Sequence, residues 1–143
     1  MKTVRYNMQD IDNVATQFAK DIGKVKVITF TGSLGAGKTT FVGALLKSWG
    51  VDTPVASPTF AYLNIYELAD GRTAYHFDLY RLKNMQEFER AGFSEYLYQP
   101  NSVALIEWPE IIKSVLTHSV CRVELQITGQ DERIMTYDIK DSS

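Results

Sequence analysis

Between Asp10 and Ile22 the apolar residues Ile11, Val14, Ala15 and Phe18 recur at helical spacing, and Gly23 interrupts the pattern. This predicts a helix whose first turn Asp10 can cap. The period then changes. Lys24 to Thr31 is rich in β-branched residues and stops at Gly32, as expected of a strand buried in a sheet. Beyond a glycine-rich turn, Phe41, Leu45 and Trp49 form one helical stripe with Val42 and Leu46 beside it, and Gly50 closes the segment. The unit reads strand, loop, helix.

Val51 to Pro58 contains two prolines, a serine and a threonine and reads as a surface loop. Two β-rich runs follow, Phe60 to Leu68 and Thr73 to Tyr80, and the Asp70-Gly71 pair between them predicts an antiparallel hairpin. Asn84 to Arg90 and Phe93 to Tyr98 read as short helices separated by Gly92. Ser102 to Ile106 is a nearly continuous apolar strand that runs into Glu107-Trp108-Pro109, and Pro109 opens a short helix through Leu116. Ser119 to Thr128 and Arg133 to Ile139 alternate around Gly129-Gln130-Asp131-Glu132 and form a second hairpin. The predicted class is α/β: one domain over residues 1–143, with a mixed central sheet flanked by helices and bearing hairpins.

Composition narrows the partners. With 143 residues, 45% of them hydrophobic and 22% charged, the chain can fill one core and is too apolar to be disordered. A net charge of −2 gives no bulk attraction for nucleic acid or acidic lipid, so any RNA connection runs through partners or a small site. Cys121 is the only cysteine, residues 1–7 lack a signal-peptide core, and no apolar stretch is long enough to span a bilayer. The expected compartment is the cytoplasm, without membrane contact.

The chemistry begins at Gly32. Gly32-Ser33-Leu34-Gly35-Ala36-Gly37-Lys38-Thr39 matches G-x-x-x-x-G-K-[ST] in full, after a buried strand and before an amphipathic helix. Glycines let the backbone form a concave nest of N–H groups, and the helix adds the positive end of its dipole. The pattern predicts a P-loop NTPase-like domain in which Lys38 reaches the β- and γ-phosphates and Thr39 offers its hydroxyl to Mg²⁺. A structural turn with a solvated lysine is the bland alternative, and it does not account for the flanking strand and helix.

Such a loop needs a carboxylate near the metal, and two strand ends supply one. Glu107, after the longer apolar run, is expected at the metal directly or through water; Asp78, in Tyr75-His76-Phe77-Asp78, is expected behind it or holding the attacking water. Ser57-Pro58-Thr59-Phe60 follows the first P-loop helix, where a hydroxyl often senses the γ-phosphate, and Thr59 is the candidate sensor. A capped turn leading into a strand explains the same residues equally well. Trp108 reads as packing or as cover for the site, His76 as a satisfied structural histidine, and Arg81 as a surface ion pair.

The P-loop, Ser57-Pro58-Thr59-Phe60, His76-Phe77-Asp78-Leu79-Tyr80-Arg81-Leu82 and Ile106-Glu107-Trp108-Pro109-Glu110, in this order, resemble the TsaE (YjeE) family over roughly residues 10–130. That family is the small P-loop ATPase of bacterial tRNA threonylcarbamoyladenosine synthesis. The resemblance implies ATP or ADP on Leu34, Gly35, Ala36, Gly37, Lys38, Thr39 and Thr40, and Mg²⁺ on Thr39 and Glu107. It implies catalytic or switch roles for Lys38, Thr59 and Asp78, and Trp108 beside the nucleotide. It also implies base or ribose contacts from the Gln9-Asp10 region and Arg133. The implied partners are the transferase subunit TsaD and its inactive paralogue TsaB, through which tRNA is reached indirectly, with ATP permitting repeated turnover. A small-molecule kinase and a nucleotide-ordered binding module are the alternatives. The six arginines form no lid-like cluster and no N-K-x-D guanine motif occurs, which disfavours a kinase and a GTPase respectively.

Overall fold

The computed structural model describes residues 1–33, 35–55 and 62–140. Leu34, Thr59 and the rest of the Ser57–Phe60 segment lie outside the described residues. Seven strands form one sheet: β1 (Lys2–Asn7), β2 (Val27–Thr31), β3 (Leu63–Glu67), β4 (Thr73–Asp78), β5 (Ser102–Glu107), β6 (Val120–Ile127) and β7 (Glu132–Lys140), in spatial order β1-β7-β6-β2-β5-β4-β3. The four strands β4, β5, β2 and β6 run parallel, and antiparallel neighbours flank them on both sides. The expected mixed sheet and both hairpins are present.

Two helices, α1 (Ile11–Ile22) and α2 (Lys38–Ser48), cover one face of the sheet. Phe41, in the first turn of α2, is fully buried among Tyr6, Phe18 and Phe30, with ring centroids 5.4–6.4 Å apart. Truncating such a ring costs about 3–5 kcal/mol, so this cluster fixes where α2 begins, directly over β2. The opposite face carries a smaller core around Phe77, Ile106 and Ile112, covered by α3 (Met85–Arg90) and two 3₁₀ segments, Phe93–Tyr96 and Pro109–Val115.

Several expectations need correction. Lys2–Asn7, which the sequence analysis did not assign to the fold, is an edge strand; only Tyr6 is buried in it, so hydrophobic patterning left almost no trace. The segments expected as helices after Gly92 and Pro109 are 3₁₀, consistent with their short length. β2 starts at Val27 rather than Lys24, because the Lys26 and Val27 amides both donate to the Ser119 carbonyl ahead of the ladder. The Asp10 side chain makes no capping hydrogen bond; Asp10 instead ends a 3₁₀ turn, Met8–Asp10, that leads into α1.

Candidate functional site

The carboxyl ends of β2, β5 and β4 lie side by side, the place where open α/β sheets bind ligands. β2 runs into Gly32, whose backbone has φ 145° and where an added Cβ would stand 2.5 Å from the Leu125 carbonyl oxygen. Only glycine lets the loop leave β2 so close to β6. At the far end of the loop Gly37 has φ 97° and caps α2 without any side-chain hydrogen bond. Gly37 offers the first amides of α2 no side-chain acceptor, an arrangement that suits a phosphate.

Lys38 is 5% exposed, and its ammonium donates to the carbonyls of Gly32 at 2.6 Å and Ser33 at 3.1 Å. Its Nζ also lies 4.0 Å from the centroid of the Trp108 ring. Burial pushes the Lys38 pKa down, and the charges of Glu107, Asp78 and Glu110 oppose that shift. Thr39 donates its hydroxyl to Glu107, and Thr40 is exposed beside it. Glu107, at the end of β5, is 2% exposed and faces Asp78 of β4 across the parallel ladder. The Asp78 carboxylate also accepts from the Tyr80 amide. One lysine, one hydroxyl and two acids thus converge from three strand ends.

The Thr39 hydroxyl and the two carboxylates are hard oxygen donors, and they fit Mg²⁺, which takes one or two protein groups and completes its shell with water and phosphate. Among the described residues no group of three His, Cys, Asp or Glu could hold a metal alone.

Trp108 adopts φ 58°, ψ 61°, a left-handed conformation that costs a non-glycine residue about 1–2 kcal/mol. That turn lays the half-buried indole against Lys38 and against Tyr80, the latter at 4.9 Å between ring centroids. The ring packs on the P-loop lysine.

Arg133 is 8% exposed and ties the β6–β7 turn to the loop. Its Nε–H donates to the Ala36 carbonyl at 3.0 Å, and Nη1 donates to the carbonyls of Gly129, Gln130 and Glu132. Met8 approaches from the other direction, since a Cβ at Gly37 would lie 3.7 Å from its methyl and 3.8 Å from the Arg133 Nε. The Met8 amide in turn donates to the Asp131 carbonyl. The segment before α1 and the C-terminal hairpin therefore meet beside the P-loop, with Met8 rather than Asp10 supplying the side chain closest to Gly37. Asp10 itself is exposed.

Sequence reasoning underestimated His76. It is fully buried, and its Nε2–H donates to Glu107 Oε2 at 2.6 Å. The two-residue alternation that puts His76 and Asp78 on one face of β4 was the available signal. Open cavities border the loop on both sides, one of about 520 Å³ reaching Thr39, Thr40 and Lys47, and one of about 480 Å³ between Gly32, Ser33 and residues 124–128 of β6 and its turn.

Residues 6–135 match the family model described as threonylcarbamoyl adenosine biosynthesis protein TsaE. Proteins named tRNA threonylcarbamoyladenosine biosynthesis protein TsaE are similar along most of the chain. The one from Rickettsia felis is 36% identical over 90% of this chain and 74% of its own length. The one from Treponema pallidum is 33% identical over 95% and 98%, and that from Bacillus subtilis 37% over 78% and 68%. The crystal structure of Bacillus subtilis YdiB superposes with a TM-score of 0.71 at 28% identity, covering 95% of this chain and 84% of that one. A P-loop whose lysine, hydroxyl and acids meet at the strand ends, together with likeness over nearly the whole length, identifies this chain as a member of the TsaE family.

Proposed function

We propose that the chain is a Mg²⁺-dependent ATPase that serves tRNA threonylcarbamoyladenosine formation by acting on the TsaD–TsaB transferase pair. The observation that carries this reading is the Thr39–Glu107 contact at the mouth of an uncapped helix that also presents Lys38. Backbone amides of Gly35 to Thr40 bind the phosphates, and Lys38 exchanges its two carbonyl partners for phosphate oxygens. When bound, Mg²⁺ neutralises charge on the triphosphate and polarises it toward cleavage. Thr39 and Glu107 hold that cation, and Asp78 orients the attacking water. Trp108 shields Lys38 from solvent, which strengthens its attraction for phosphate. Thr59 is the proposed γ-phosphate sensor, and Asp10 and Arg133 border the nucleoside.

Three arginines are paired with acids, Arg5 with Glu132, Arg72 with Asp70 and Arg122 with Asp138, and Arg133 is held by main-chain carbonyls that include that of Ala36. Hydrolysis by the isolated chain is accordingly slow, and a partner supplies the missing positive charge. The proposed place of work is the cytoplasm, where the tRNA is; among the described residues no helix is long and apolar enough to cross a membrane. The test is ATP turnover with and without the transferase pair, beside Lys38→Ala. Stimulation that Lys38→Ala abolishes is expected; turnover unchanged by the pair refutes the partner-driven reading.

A further inference from the structure

We propose that His76 is a positioning residue that makes Glu107 a one-oxygen ligand and so selects a small divalent cation. The inference rests on the nucleotide-binding reading above and names the group that orients its acid. The ring is completely buried on β4, between its register partners Leu105 of β5 and Asn64 of β3 and beside its same-face neighbour Ala74. Nε2–H donates to Oε2 of Glu107 at 2.6 Å, while Nδ1 is buried with no hydrogen-bond partner among the described residues. A buried polar atom without a partner destabilises the fold, a penalty that leucine would avoid. What histidine adds over leucine at this position is the one bond to Glu107.

That bond grips the carboxylate through Oε2. The Thr39 hydroxyl lies 2.8 Å from Oε1 and 3.0 Å from Oε2, and Oε1, which His76 does not hold, is the oxygen left for a cation. Mg²⁺ accepts few protein ligands in strict octahedral geometry, whereas Ca²⁺ takes six to eight oxygens and readily uses both oxygens of one carboxylate. An acid clamped through Oε2 favours the first ion; released from His76, it can turn and serve the second.

Calorimetry of ADP binding with Mg²⁺, with Ca²⁺ and with EDTA, on wild type, His76→Leu and His76→Gln, tests this. In wild type Mg²⁺ should tighten ADP binding more than Ca²⁺ does. His76→Leu should cut the Mg²⁺-dependent gain about tenfold, the lower end of what partners of metal ligands contribute, and bring the two ions together. Binding in EDTA should not change. His76→Gln, whose amide can donate to the same oxygen, should restore most of the gain. If the leucine variant does not fold, His76→Met, which has no hydrogen-bond donor on a more pliable apolar side chain, takes its place. A folded variant lacking the donor that keeps the wild-type Mg²⁺ gain and Mg²⁺-over-Ca²⁺ preference overturns the role of His76 and leaves the nucleotide reading standing. Equal loss in EDTA, or no recovery with glutamine, reduces the ring to packing and also overturns it. Wild type that takes up no ADP under any condition removes the nucleotide reading and this inference together.

Discussion

The Thr39 hydroxyl lies 2.8 Å from Oε1 and 3.0 Å from Oε2 of Glu107, joining the first turn of α2 to the end of β5 across 68 residues of chain. The two hard donors assigned to Mg²⁺ are thus brought together by the fold itself, and Asp78 stands beside them in register with Glu107. This geometry separates the roles of the two acids.

Glu107→Ala should retain ADP binding in EDTA but lose at least tenfold of the gain that Mg²⁺ confers, since it removes a metal ligand rather than a phosphate donor. Asp78→Asn should leave that gain in place and lower turnover. Calorimetry and phosphate release measured on both variants decide the order. An intact Mg²⁺ dependence in Glu107→Ala, with loss in Asp78→Asn, would exchange the assignments.

Gly32→Ala places a methyl 2.5 Å from the Leu125 carbonyl oxygen, at a backbone angle that alanine avoids. The loop must shift away from β6. A stability loss of more than about 1 kcal/mol, together with weakened nucleotide binding, is expected from urea unfolding and calorimetry.

Arg133→Met keeps the length of the side chain but leaves the Ala36 carbonyl without its donor and the β6–β7 turn without its tie. Loss of about 1–3 kcal/mol in unfolding free energy is expected, with weaker ADP binding because the loop is less fixed. Arg133→Lys should not rescue it, since one ammonium cannot reproduce the planar fork. Unchanged stability in Arg133→Met would show that the hairpin does not brace the loop.

Alkali should destabilise the fold through buried acids that lie far from one another in sequence. Burial pushes the Tyr6 phenol up to about 12, against the opposing charge of Arg133. Burial likewise pushes the Cys121 thiol up to about 12, helped by Asp138 and Asp21, and raises Tyr137, which also donates to Asp21. In each case the native state holds its proton more tightly than the unfolded chain. The contribution to stability is therefore complete below the ordinary thiol value of 9.0 and declines as pH rises toward about 12. Urea midpoints should fall across that window, and Cys121→Ala should flatten the earlier part of the fall.

What the sequence made legible follows from which residues announce themselves. The P-loop and the Asp70-Gly71 turn depend on local backbone requirements, so they could be read directly. Glu107 and Asp78 could be named because apolar runs led to them, and their adjacency appeared only with the parallel register of β4 and β5. His76 was invisible as a site residue because its meaning lies in a contact with a strand 31 positions away. β1 escaped because an edge strand with a single buried side chain carries almost no periodic signal. Arg133 was expected at the base or ribose, while its bonding to the carbonyls of Ala36 and Gly129 depends on side-chain geometry that the hairpin pattern does not carry.

The position of β2 between β5 and β6 bears on the order in which the protein can be made. On the ribosome the strand that carries the phosphate-binding motif emerges long before Glu107 and before the Leu125 carbonyl against which Gly32 is set. A nascent chain displays the complete motif while lacking the walls that give it shape. Fragments released early in translation would carry the signature of a nucleotide site without the ability to grip a phosphate.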